Sequence, residues 1–105
     1  MDKTRDEILS KLKLLIKSIE KNNIRIEFAY LFGSYAKNNF HRQSDIDLAI
    51  VSKDFEGIRF LDREKIAKCV IENDISIDPI TFRPEDFTLE NPIVKEIKET
   101  GILIL

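Results

Sequence analysis

Tryptophan is absent from the 105 residues, cysteine and histidine occur once each, and glycine and proline occur three times each. One cysteine, Cys69, excludes an internal disulfide, so the fold must rest on its core. No apolar run reaches membrane-span length, and the N-terminus lacks the apolar stretch of a secretion signal, which makes the cytoplasm the expected compartment. Neither sign of charge prevails: 17 basic against 19 acidic residues leave a net charge of −2. No basic patch dominates the sequence, so direct nucleic-acid binding is not expected. Repeats, low-complexity tracts and linkers are missing as well. Hydrophobic residues at 43% and charged residues at 34% are ordinary for a soluble chain, and the length suits a single domain over residues 1–105.

What is present reads as helix, strand, short helix, strand, helix, strand, helix. Ile8, Leu12, Leu15, Ile16 and Ile19 recur at helical spacing between Thr4 and Lys21, behind a Thr4/Glu7 capping box, and Asn22-Asn23 ends the pattern. This stripe is expected to pack on the domain's own sheet. From Ile24 to Phe32, Ile24, Ile26, Phe28, Tyr30 and Phe32 alternate with Arg25 and Glu27, which predicts a strand. A short helix from Ser34 to about Lys37 and a polar loop from Asn38 to Ser44 follow. Asp45 to Ser52 is the second strand. Arg59 to Asn73 is a helix with Leu61, Ile66 and Val70 inward, Ala67 inward on its flank, and Cys69 as packing. Ile75 to Ile80 alternates as a third strand, with Pro79 favouring an edge. Asn91-Pro92 opens the last helix and Gly101 stops it. Ile102 to Leu105 must be covered by this domain or by a partner. This order implies an α/β (α+β) domain of two layers, a small mixed sheet packed on helices.

The chemistry concentrates between Leu31 and Val51. Residues two apart on a strand share a face, so Asp45 and Asp47 project together while Ile46, Leu48 and Ile50 point the other way. Two such carboxylates repel unless a cation lies between them, and oxygen-only ligation suits Mg²⁺, which completes its shell with substrate phosphates. Before Asp45, with ten residues between, Gly33-Ser34 follows a strand. Gly33 admits close approach of a phosphate to the backbone, and a helix starting at Ser34 offers free N–H groups and a positive dipole end. Metal carboxylates facing a phosphate-binding turn describe a nucleotidyl-transfer site. Lys37, His41 and Arg42 stand either as triphosphate contacts or as solvated loop charges. Lys37 and Arg42 are retained as candidate contacts, and His41 is not assigned as a base.

Gly33-Ser34, ten residues and Asp45-Ile46-Asp47 resemble the signature of the minimal nucleotidyltransferases, small members of the DNA polymerase beta superfamily that includes kanamycin nucleotidyltransferase. The resemblance covers about residues 24 to 82 and implies a palm-like fold. It places a third carboxylate on the strand after the second long helix, where Asp78 is the matching position, as a proton acceptor or a third metal contact; the alternative is an edge-strand Asp facing water. The family's usual Arg-Gly is here Lys37-Asn38, which keeps the charge but loses the bidentate fork. The resemblance further implies Mg²⁺ (two ions) on Asp45, Asp47 and Asp78, ATP as substrate, and a HEPN-type toxin as partner and acceptor. The chain would then be an antitoxin in a hetero-oligomer, moving AMP to a protein hydroxyl, most plausibly a tyrosine. Two other readings stand beside it: an idle antitoxin that neutralises by contact, and a small-molecule nucleotidyltransferase, which the missing acceptor domain disfavours.

Overall fold

Apolar side chains on both faces of the middle strands set the architecture. The computed structural model describes residues 3–33, 36, 45–72 and 76–105. Its elements are α1 (Lys3–Lys21), β1 (Phe28–Phe32), β2 (Ile46–Val51), α2 (Arg59–Ile71), β3 (Ile77–Phe82), a single 3-10 turn at Pro84–Asp86, α3 (Pro92–Thr100) and β4 (Ile102–Leu103). The strands order as β3-β2-β1-β4. β1 runs antiparallel to both neighbours, and β3 runs parallel to β2 through the α2 crossover. This is the expected small mixed α/β fold. No helix among the described residues is long and apolar enough to cross a membrane.

One face of the sheet carries the main core. Ala29 and Leu31 of β1 and Ile46, Leu48 and Ile50 of β2 meet Leu12, Leu15 and Ile19 of α1 and Ile66 and Cys69 of α2. Leu12, Leu15 and Ile19 are essentially inaccessible, and each such burial contributes roughly 1.5–3 kcal/mol. The opposite face is covered in part. Phe32, Ala49, Val51 and Phe82 pack there against Phe87 and against Val94 and Ile97 of α3. Phe87 stands edge-on to Phe82 at 5.2 Å, and Lys98 lies 5.2 Å from its ring centre.

The strand expected from Ile24 begins only at Phe28, and its facing changes on the way. Ile24 and Ile26 join the main core, yet so do Ala29 and Leu31, whereas Tyr30 and Phe32 turn to the α3 side. β1 is apolar on both faces, with Phe28 exposed and Tyr30 half-buried on the α3 side, so Phe-Ala-Tyr-Leu-Phe carries no polar side to betray its parity. The inward side of α2 also differs from expectation. Asp62, Ile66 and Cys69 are buried, while Leu61, Ala67 and Val70 lie half-buried on the flanks. Asp62 accepts hydrogen bonds from the Glu56 and Gly57 amides at 2.7 and 2.9 Å, fastening the loop that enters the helix. Cys69 packs as expected and accepts from Asn22 Nδ2 at 3.2 Å. The third strand spans Ile77–Phe82 and lies at the sheet edge, where Pro79 is tolerated.

The last helix starts as its sequence dictates, with the Asn91 side chain accepting from the Ile93 amide at 2.9 Å ahead of Pro92. Gly101 ends it in extended rather than left-handed backbone. Its missing side chain matters for space, since a Cβ there would collide with the Ile97 carbonyl and stand 3.2 Å from the Leu31 carbonyl. The chain then folds onto β1 as β4. Ile102 and Ile104, half-buried, pack against the main core, and Leu103 and Leu105 remain exposed. The Thr4 cap, the short helix from Ser34 and the loop through Ser44 fall outside the residues, or the side chains, that are described.

Candidate functional site

Sheet register does what the sequence spacing suggests. Asp47 on β2 stands opposite Phe32 of β1 on one side and opposite Asp78 of β3 on the other. The three side chains occupy one row across one face, the face shared with α3. Immediately after Phe32 the backbone turns at Gly33, with φ at +75°. A side chain there would be strained by the left-handed backbone, and its Cβ would run into the Asp47 carboxylate. The turn after β1 is thus seated directly against the central carboxylate of β2, and only glycine lets it sit there.

Asp45 and Asp78 complete an acidic corner. Asp45 lies just ahead of β2 and accepts a hydrogen bond from Ser76 Oγ at 2.6 Å. Asp78 sits 3.4 Å from the Arg63 guanidinium, which reaches over the sheet edge from α2. Burial raises the Asp47 carboxyl above its ordinary value, and the charges of Asp78, Asp45 and Glu96 add to that in turn. Glu96 brings a fourth acidic side chain toward this face from α3.

Among the described residues, no three His, Cys, Asp or Glu side chains are gathered closely enough to hold a metal ion by themselves. The donor set nevertheless fits a hard divalent cation. Only carboxylate and hydroxyl oxygens are offered, and the most buried of them is held at an energetic disadvantage by its acidic neighbours. A cation filling its shell with water and phosphate oxygens needs only one or two protein carboxylates.

Of the residues singled out in the sequence, Gly33, Asp45, Asp47 and Asp78 fall in this corner. Ser34, Lys37 and Arg42 lie outside the described residues, as does His41. Three partners went unread in the sequence. Ser76 carried a usable signal, because it lies two residues before Asp78 on the same extended segment and so shares its face. Arg63 and Glu96 carried none, since their positions depend on how α2 and α3 dock.

A mixed sheet that sets a glycine turn against a row of carboxylates defines the nucleotidyltransferase class. The chain belongs to the polymerase beta nucleotidyltransferase family, whose model matches residues 15–105. It is 28% identical over 100 residues to MJ0141 of Methanocaldococcus jannaschii, a candidate protein adenylyltransferase, across 91% of this chain and 94% of that one. It is 31% identical over 87 residues to the protein adenylyltransferase MntA of Shewanella oneidensis, across 81% of this chain and 60% of MntA. Among solved structures it is similar in fold to a candidate nucleotidyltransferase from Sulfolobus solfataricus, with a TM-score of 0.66, 20% identity and coverage of 94% and 80% of the two chains. A toxin–antitoxin complex with AMP-PNP contains a chain of the same fold, with a TM-score of 0.60, 24% identity and coverage of 92% and 72%.

Proposed function

We propose that this chain transfers AMP from ATP to a tyrosine hydroxyl of a HEPN-type toxin in the cytoplasm, and so acts as that toxin's antitoxin. The observation that carries the reading is the row Phe32, Asp47, Asp78 with the Gly33 turn seated on the Asp47 carboxylate. The names of the relatives supply the direction, since MntA and MJ0141 are both described as acting on proteins.

In this reading the Gly33-Ser34 turn holds the outer phosphates through backbone N–H groups, with Lys37 and Arg42 as further contacts. Asp45 and Asp47 would hold Mg²⁺, two ions in all, and Asp78 would serve as the proton acceptor or as a third contact. The metal, when bound, supplies Lewis acidity at the α-phosphate and charge neutralisation at the departing pyrophosphate. The acceptor oxygen attacks the α-phosphorus, the bond to the β-phosphate bridging oxygen breaks, and pyrophosphate leaves. The hydroxyl proton passes to an Asp78 carboxylate oxygen, which Arg63 orients.

Incubation of the chain with ATP, Mg²⁺ and the protein encoded beside it, read by intact mass, tests this. One or more AMP units should appear on that neighbour. Asp45→Asn should still form the complex and leave the partner's mass unchanged. A wild-type complex that forms with MgATP present yet adds no mass would leave neutralisation by contact as the function.

A further inference from the structure

Beside the acidic corner, around the sheet edge, runs a groove of about 290 Å³ between α2 and β3. Phe60, Val70 and Ile71 of α2 and Ile77 and Pro79 of β3 give it an apolar lining, and Arg63 and Glu64 add one charge of each sign. Phe60 is 72% exposed and Ile71 79%, at the two ends of a helix face that also carries Glu64 and Ala67, while Asp62, Ile66 and Cys69 are buried on the side turned to the core. Arg63 belongs to both places at once, because it lines the groove and pairs with Asp78. An occupant of the groove is therefore continuous with the corner proposed to do the chemistry.

Charge and backbone narrow what that occupant is. The only other acid besides Glu64 within α2, Asp62, is buried and spent on the Glu56 and Gly57 amides. The exposed surface of α2 thus presents Arg59, Arg63, Lys65 and Lys68 against Glu64, on a chain that is net negative. Lys65 is engaged with Glu56 at 3.0 Å. An acidic partner surface with apolar anchors complements this. A nucleic acid would use the cations and could stack a base on Phe60, but it has no use for the aliphatic lining of Val70, Ile71 and Ile77. Strand addition along β3 is disfavoured. The Ser76 and Phe82 carbonyls both accept from β2 amides, so by alternation the outward backbone belongs to Ile77, Pro79 and Thr81. Pro79, the middle one, has no N–H to offer. Recognition has to come from side chains set into the groove.

We propose that the α2–β3 groove is where the acceptor protein docks, through a segment that places apolar side chains between Phe60 and Ile71 and a carboxylate toward Arg63. This rests on the acceptor's being a protein, as argued above, and its test reads binding rather than transfer. The complete chain is titrated with the protein encoded beside it, and Kd is measured for wild type and for Phe60→Asp, Ile71→Asp, Arg63→Glu and Leu14→Asp. Leu14 is 66% exposed on α1, away from the groove. Melting temperatures confirm that each variant folds. Phe60→Asp and Ile71→Asp should each weaken binding about tenfold or more, as loss of an interface anchor does, and Leu14→Asp should stay within about twofold. Arg63→Glu should weaken binding and slow association, an effect that fades at high salt. Wild-type affinity in both groove variants would overturn the proposal, and so would no complex with the wild-type chain. Loss in Arg63→Glu alone, with tight binding of an RNA oligonucleotide, would replace it with a nucleic-acid surface. A complex that depends on Phe60 and Ile71 but transfers no AMP leaves the docking site standing and removes the transferase reading.

Discussion

Gly33 and Asp47 behave as one unit, because the space a Gly33 side chain would need is filled by the Asp47 carboxylate. Gly33→Ala has two costs: about 1–2 kcal/mol for an L-residue at positive φ, and a further displacement of Asp47. The second cost vanishes when the carboxylate is removed. In an Asp47→Ala background Gly33→Ala should therefore be milder, with a coupling of about 0.5–3 kcal/mol in a double-mutant cycle of denaturant midpoints. Simple additivity would show that the turn and the carboxylate do not touch. Gly33→Val should also weaken MgATP binding while retaining secondary structure, and unchanged affinity in titration calorimetry would remove its phosphate role. A different residue shows the converse of a functional constraint. The hydroxyl of Thr81 is buried without a hydrogen-bond partner among the described residues. Thr81→Val keeps the shape and relieves that burden, so it should raise stability by about 1 kcal/mol. A lower melting temperature in the variant would mean that the hydroxyl is satisfied after all.

At the level of elements, the sequence was most legible where one side of an element meets water. The α1 stripe, the Asn91-Pro92 start of α3 and the Asp45/Asp47 pair at the head of β2 were all readable, because polar neighbours marked the exposed side. β1 was not, since Phe28 to Phe32 is apolar on both faces, exposed Phe28 included, and has no charged residue to fix its parity. Asp62 was missed for a related reason: a carboxylate inside a helix reads as solvated until the loop it fastens is seen. Gly101 was recognised as a stop, but its purpose, letting α3 and β4 pass close to Leu31, is tertiary and leaves no local trace. That purpose is testable. Gly101→Ala should cost about 1–3 kcal/mol, the usual penalty for overfilling a packed site, or a melting temperature several degrees lower. The damage should appear first where β4 leaves the sheet. The Ile104 amide, which donates to the Ala29 carbonyl at 2.7 Å, should exchange with solvent faster while the α1 amides do not. Equal acceleration in both would mean that the glycine governs global rather than local stability.

Across the whole molecule, the sheet is covered on the α1–α2 face except beside β3, where the groove opens, and only partly on the α3 face, where the acidic corner lies. Stability and the proposed chemistry therefore pull against each other there. The Asp47 carboxyl is raised above its ordinary 3.8, chiefly by burial and then by Asp78, Asp45 and Glu96, so the folded chain holds that proton more tightly than the unfolded one. Below 3.8 both states are protonated and the contribution is fully present. As pH rises through the raised folded value the contribution is lost, and at neutral pH ionised Asp47 weighs against the fold. Asp47→Asn should accordingly melt higher than wild type at pH 7, and the gain should shrink to nothing as the pH falls below 3.8. Mg²⁺ should reverse the order. A cation bound to the ionised corner stabilises the folded state by mass action, about 2.7 kcal/mol at a hundredfold excess over Kd. Raising Mg²⁺ at pH 7 should lift the wild-type melting temperature toward or past that of Asp47→Asn, which should itself respond weakly. A wild-type chain that melts above the variant without Mg²⁺ would mean that the corner is not self-repelling. Equal Mg²⁺ responses in the two chains would place the ion elsewhere.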